Sequence, residues 1–167
     1  MTQKTELGKL GEDLACRYLV DKDYKIIERN HRKPWGELDI IAKSPDKTLV
    51  FVEVKTMRQL GNQFGNQASS YPQLPNPKII FRQVRHSLEQ GFGIEPEMQM
   101  TSAKIKKLKR TASLYAGHFS ELIDDAKGWR IDLLALTVQG DASPVMNGSN
   151  CLTINNKNCV VRHYENI

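Results

Sequence analysis

The stretch Trp35–Lys55 reads WGELDIIAKSPDKTLVFVEVK and decides the fold. Two apolar runs, Leu38–Lys43 and Thr48–Thr56, flank Ser44, Pro45, Asp46 and Lys47, which are turn-forming residues. Side chains alternate between the faces of a strand. The alternation predicts that Glu37, Asp39 and Ile41 share one face and Leu38, Ile40 and Ala42 the other. In the second strand it places Phe51, Glu53 and Lys55 together, with Val50, Val52 and Val54 opposite. Directly opposed residues of an antiparallel pair lie on the same face. Asp39 and Glu53 therefore converge only if the turn holds an odd number of residues, as when Ser44 opposes Thr48 around Pro45, Asp46 and Lys47. A four-residue turn would oppose Asp39 to Val52 and split the charges between faces.

Aligned, these strands would gather three carboxylates and one ammonium on a patch partly covered by Ile41 and Phe51. Carboxylate oxygens on a rigid sheet are hard donors suited to Mg²⁺ or Mn²⁺. Such an ion polarises a phosphoryl oxygen and acidifies a bound water. A lysine two residues from a metal carboxylate can orient that water or offset developing negative charge. The pattern suits metal-dependent phosphodiester hydrolysis, with Asp39 and Glu53 as metal ligands and Lys55 beside them. A structural hairpin with one wet face shows the same alternation.

Around this hairpin, 167 residues with 40% apolar and 26% charged side chains suit one soluble domain spanning 1–167. The N-terminus lacks an apolar signal core, and no run approaches the ~20 apolar residues of a membrane span. These features predict a cytoplasmic protein with no membrane partner. A net charge of +5 and a pI near 9.1 suit a polyanion. The charge is clustered. Arg29, His31, Arg32 and Lys33 precede the hairpin, and Lys104, Lys106, Lys107, Lys109 and Arg110 crowd a segment without acids between Thr101 and Ser120. Arg29, Arg32, Lys33 and the five basic residues of the later segment are candidate phosphate contacts. Cys16, Cys151 and Cys159 have no zinc-like spacing.

The remaining pattern predicts a helix over Thr5–Val20 and a strand over Tyr24–Arg29, followed by a basic loop from Asn30 to Pro34. A second helix is expected over Thr101–Gly117, a strand over Trp129–Val138, and a closing hairpin of Cys151–Ile154 with Cys159–Tyr164. Asp132, between Ile131 and Leu133, reads as a structural partner for a basic side chain. Residues 57–100 read as an insertion. Fourteen of the twenty residues from Gln59 to Lys78 are Gln, Asn, Ser, Pro or Gly, too polar to form a core, and Lys78–Gln90 has helical periodicity.

The residues Gly8-Lys9-Leu10-Gly11-Glu12, Ala15, Tyr18-Leu19, Arg29-Asn30, Gly36–Ala42 and Phe51–Lys55 resemble the YraN-like family. That family is similar to the PD-(D/E)xK nucleases, whose nearest functional members here are Holliday-junction resolvases. The resemblance covers roughly residues 5–56 and 101–137. It implies an α/β fold with a restriction-endonuclease-like core, a central mixed β-sheet flanked by helices. It implies a Mg²⁺-dependent endonuclease acting on DNA, branched or recombination-derived substrates included. It adds Glu12 as a catalytic candidate beside Asp39, Glu53 and Lys55, with Glu37 as a supporting carboxylate. The alternative is a non-catalytic nucleic-acid-binding or assembly module on the same fold. DNA against RNA stays open at this level, and so does the oligomeric state, with a homodimer among the options.

Overall fold

The computed structural model describes residues 3–59, 100–139, 145–147, 151–153 and 159–167. Helix α1 spans Gln3–Asp21, and strands β1 (Lys25–Lys33), β2 (Gly36–Lys43) and β3 (Leu49–Gln59) follow. Helix α2 (Ser102–His118) precedes β4 (Trp129–Gln139), β5 (Val145–Asn147), β6 (Cys151–Thr153) and β7 (Cys159–Tyr164). The main sheet has the order β1-β2-β3-β4-β7. β3 and β4 are parallel, and the other neighbours are antiparallel. This is an α/β fold with a mixed sheet between helices, consistent with a restriction-endonuclease-like core. The predicted helix over Lys78–Gln90 lies outside the described residues.

Each helix covers one face of the sheet. α1 presents Leu10, Leu14, Ala15 and Leu19 at helical spacing to Ile40, Ala42, Val50, Val52, Val54, Leu134, Leu136 and Val138. α2 presents Leu108, Ala112, Tyr115 and Ala116 to Leu38, Ile41, Phe51, Ile131 and Leu133. Apolar on both faces, β3 and β4 show the burial expected of parallel strands. α1 stops at a turn in which Asp23 takes φ 62° while Tyr24 N–H donates to the Leu19 carbonyl at 2.9 Å and Asp23 N–H to that of Val20 at 3.0 Å.

The two glycines of α1 have different reasons. A Cβ on Gly11 would overlap the Thr56 hydroxyl, so this glycine lets the helix backbone lie directly on β3. At Gly8 nothing lies within 4 Å. Gly8→Ala is expected to stabilise by about 1 kcal/mol through helix propensity. Gly11→Ala is expected to destabilise by about 1–3 kcal/mol through overpacking. Urea unfolding of the two variants checks this, and a stabilised Gly11→Ala would refute the close approach.

Three expectations need correction. Asn30–Lys33 is not a loop: these residues extend β1, and the chain turns at Pro34 and Trp35, with Lys33 opposite Gly36. Ladder pairing with β2 is what recruits these polar residues into a strand. Cys151–Thr153 does not pair with Cys159–Tyr164. β6 pairs with β5, while β7 adds to the main sheet beside β4. The strict alternation of β2 also fails. Leu38 packs with Ile41 beneath α2, whereas Ile40 and Ala42 lie beneath α1. The pleat inverts at Asp39. Across from it, between the pairs Arg29–Ile40 and His31–Leu38, Asn30 adopts φ 55°. Asn tolerates this left-handed conformation because its side chain can bond locally.

Candidate active site

The β2–β3 turn fixes the register. Ser44 N–H donates to the Thr48 carbonyl at 3.0 Å, and the loop between them is Pro45, Asp46 and Lys47, with Lys47 at φ 72°. Asp46 ties the turn by accepting from the Ser44 hydroxyl and from the Thr48 hydroxyl at 3.1 Å. The Ser44 hydrogen bond, foremost, draws the Asp46 carboxyl down to about 2. The ladder runs Lys43–Leu49, Ala42–Val50, Ile41–Phe51 and Ile40–Val52, the register that carries Asp39 toward Glu53.

Regular pairing would next give the Val54 N–H to the Leu38 carbonyl. Instead the Asp39 carboxylate accepts it, Oδ2 lying 2.8 Å away. The pleat inversion and this bond hold Asp39 over the end of β3. There its carboxyl is pushed up to about 6. Burial is the main cause and the Glu53 charge the second, with Glu12 adding to both, while the Val54 N–H and Lys55 pull the other way.

Glu53 is 1% exposed and faces α2. Its Oε1 contacts the Lys55 ammonium and, 3.2 Å away, that of Lys104 from the first turn of α2. Its Oε2 is buried without a hydrogen-bond partner. A buried charged oxygen without a partner is costly. Glu12, half-buried on α1, reaches toward the site from the other side of the inversion, accepting at 2.8 Å from Asn30 Nδ2.

Lys55 thus meets Glu53, and Glu53, Lys55 and Glu12 all lie near enough to act electrostatically on Asp39. Glu37 is exposed and opposes Arg32 across β1–β2. Arg29 is ion-paired to Asp13 of α1. Arg32, Lys33, Lys106, Lys107, Lys109 and Arg110 are exposed. Asn30 is a site residue the sequence reading does not name, and Lys104, named there as a phosphate contact, instead meets Glu53. Asn30 holds Glu12, and its left-handed tolerance was the available signal. Lys104 stands four residues before buried Leu108, on the edge of the apolar stripe.

The donor set fits a small, hard divalent cation. Asp39 and the unpartnered Glu53 Oε2 are oxygen donors in a crowded, partly dry place. Among the described residues no group of three or more His, Cys, Asp or Glu side chains could hold a metal ion. Two carboxylates alone would leave further positions to water and substrate oxygens, as Mg²⁺ prefers.

The Uncharacterised protein family UPF0102 matches residues 11–80. A UPF0102 protein of Syntrophomonas wolfei is 37% identical over 110 residues, 66% of this chain and 68% of the relative. The chain belongs to the UPF0102 family. UPF0102 proteins of Corynebacterium efficiens (52% identical over 60 residues) and Thermodesulfovibrio yellowstonii (53% over 62) match 36% and 37% of the chain. The matched region spans about half the length of these relatives, 49% and 53%. Among the described residues no helix is long and apolar enough to cross a membrane.

Proposed function

We propose that this UPF0102 protein is a divalent-metal-dependent nuclease that hydrolyses phosphodiester bonds of DNA, as PD-(D/E)xK nucleases do. One observation carries the reading: the partnerless, buried Oε2 of Glu53 beside an Asp39 whose proton affinity is raised by burial first and by that same carboxylate second. Asp39 and Glu53 would hold Mg²⁺ or Mn²⁺. Bound there, the ion would supply charge neutralisation at a phosphoryl oxygen and acidify water.

The chain's own groups supply the rest. Val54 N–H fixes the Asp39 carboxylate, so one oxygen stays oriented away from the backbone. Lys55, on the strand that carries Glu53, keeps its ammonium at the site, where it orients the attacking water and offsets charge on the phosphate. Glu12, held by Asn30, is a supporting carboxylate that raises the negative potential at Asp39. Glu37 lies at the rim. Arg32, Lys33, Lys106, Lys107, Lys109 and Arg110 track the DNA backbone without reading bases. Arg29, engaged with Asp13, contributes chiefly by holding β1 to α1.

The test is cleavage of duplex, single-stranded and four-way-junction DNA with Mg²⁺ or Mn²⁺, with Lys55→Ala purified in parallel. The variant is expected to lose about 10²-fold or more in rate. Equal cleavage by both proteins would trace the activity to a contaminant. Binding without cleavage under every metal would favour the assembly module. In the same assay series, neutralising Lys106, Lys107 and Arg110 should lower the slope of log K against log salt by about 3. An unchanged slope would reduce these charges to a solvated helix face.

A further inference from the structure

The basic residues of α2 divide by position. Lys106, Lys107, Lys109 and Arg110 are exposed, but Lys104 turns inward and places Nζ 3.2 Å from Glu53 Oε1. Its backbone is fixed: Lys104 N–H donates to the capping Thr101 hydroxyl at 3.2 Å, and Leu108, Ala112 and Tyr115 seat the helix on the sheet. Its side chain is 38% exposed, against 21% for Lys55. Two ammonium groups thus crowd one oxygen of Glu53 while the other oxygen has none. Lys55 leaves the same strand two residues on and has little freedom to withdraw. Lys104 has a long stem, an ammonium of high hydration affinity and solvent beside it.

We propose that Lys104 is an exchangeable counter-cation of this site: it neutralises Glu53 until a divalent cation binds, then swings out to meet a phosphate of the substrate. The inference rests on Asp39 and Glu53 forming a metal site and extends that site to a residue of another element. The physical argument is like-charge exclusion. A divalent ion on a Glu53 oxygen and an ammonium in contact with the same carboxylate repel strongly in a poorly solvated place. Of the two lysines, the one with a solvent-facing stem yields at lower cost. Its anchored Cα keeps the released ammonium at the mouth of the site. Metal binding and phosphate binding would then be linked through one side chain, with the free ammonium available only in the metal-bound state.

The experiment measures Mn²⁺ binding by electron paramagnetic resonance of the free ion, without DNA, for the parent chain and for Lys104→Ala, Lys104→Gln and Lys106→Ala. Lys104→Ala and Lys104→Gln are expected to bind Mn²⁺ about 3–10-fold more tightly, because a competing cation is gone, and Lys106→Ala to bind as the parent does. DNA affinity is then measured in EDTA and in Ca²⁺. The Lys104 variants should lose affinity in Ca²⁺ and not in EDTA, where the ammonium is engaged by Glu53. Lys106→Ala should lose it in both. Unchanged or weaker Mn²⁺ binding by both Lys104 variants, or equal DNA losses with and without Ca²⁺, overturns the proposal while leaving the metal site standing. Failure of every protein to bind Mn²⁺ overturns the metal site itself, and this proposal with it. Two substitutions guard against a folding defect peculiar to either.

Discussion

Asp39→Asn is expected to abolish cleavage and, at about pH 7.5, to raise the melting temperature by about 4–8 °C. The two effects share a cause. The native environment pushes the Asp39 carboxyl from its ordinary 3.8 to about 6 through burial first and the Glu53 charge second. Near neutral pH the folded state therefore carries an ionised carboxylate in a place that disfavours it. The cost is about 2 kcal/mol once the partial exposure of the group is allowed for. Asparagine has the same shape, its carbonyl oxygen can accept the Val54 N–H, and it removes the repulsion from Glu53. The sign follows from proton linkage. The folded state binds this proton more tightly, so the parent protein gains stability as pH falls from about 6 toward 3.8, and the advantage of the variant shrinks over the same window. Glu53 and Lys55 of β3 and Glu12 of α1 are the charges that act on Asp39, and all are retained. Loss of one of the two carboxylates proposed to hold the metal should lower the cleavage rate by roughly 10²–10⁴. Thermal melts in EDTA across this pH range, with cleavage rates alongside, are the measurement. A variant that melts lower at every pH would mean that Asp39 is a structural residue.

How far this site was legible can be judged residue by residue. The turn residues Ser44–Lys47 marked where β2 ends and β3 begins but admitted two registers; the Ser44–Thr48 pairing selects the one that brings Asp39 toward Glu53. The burial of Ile41 and Phe51 beside the charges was legible too. The inversion at Asp39 was not. Period-two reasoning assumes a uniform pleat, and Asn30 at φ 55° on the neighbouring strand breaks that assumption from outside the stretch being read. Lys104 was counted with the helix charges because a charge run says nothing of direction. Its helical phase relative to Leu108 carried that information. The closing hairpin failed for another reason. Residues 151–153 and 159–164 are short strands close in sequence, and proximity favoured pairing them. Their partners are instead Val145–Asn147 and the long, apolar β4, whose open edge accepts Cys159–Tyr164.

Asp132→Ala is expected to destabilise the protein by about 3–5 kcal/mol, lowering the melting temperature by about 10 °C or more. Asp132 is 0% exposed and lies on the face covered by α1. Its carboxylate accepts from Arg130 Nε, His163 Nε2 and Asn166 N–H, each at 3.0 Å. Arg130 in turn donates to the Tyr24 hydroxyl at 2.9 Å and lies 3.4 Å from Glu165. Removing the carboxylate strands a half-buried guanidinium and a buried imidazole, which is where the loss arises. The titration sign is opposite to that of Asp39. Burial alone would raise the Asp132 pKa, but the His163, Arg130 and Asn166 hydrogen bonds together outweigh it and hold the carboxyl below its ordinary 3.8. Its contribution is therefore fully present above the ordinary carboxylate range and is lost only as pH falls through the depressed value. At about pH 4 the gain from Asp39→Asn should have vanished while the loss from Asp132→Ala persists in large part. Two aspartates on one sheet are thus separable by pH: Asp132 is satisfied by its neighbours and holds the fold, and Asp39 is the one proposed to take a cation. If both differences closed over the same pH window, the assignment of one to structure and the other to chemistry would fall.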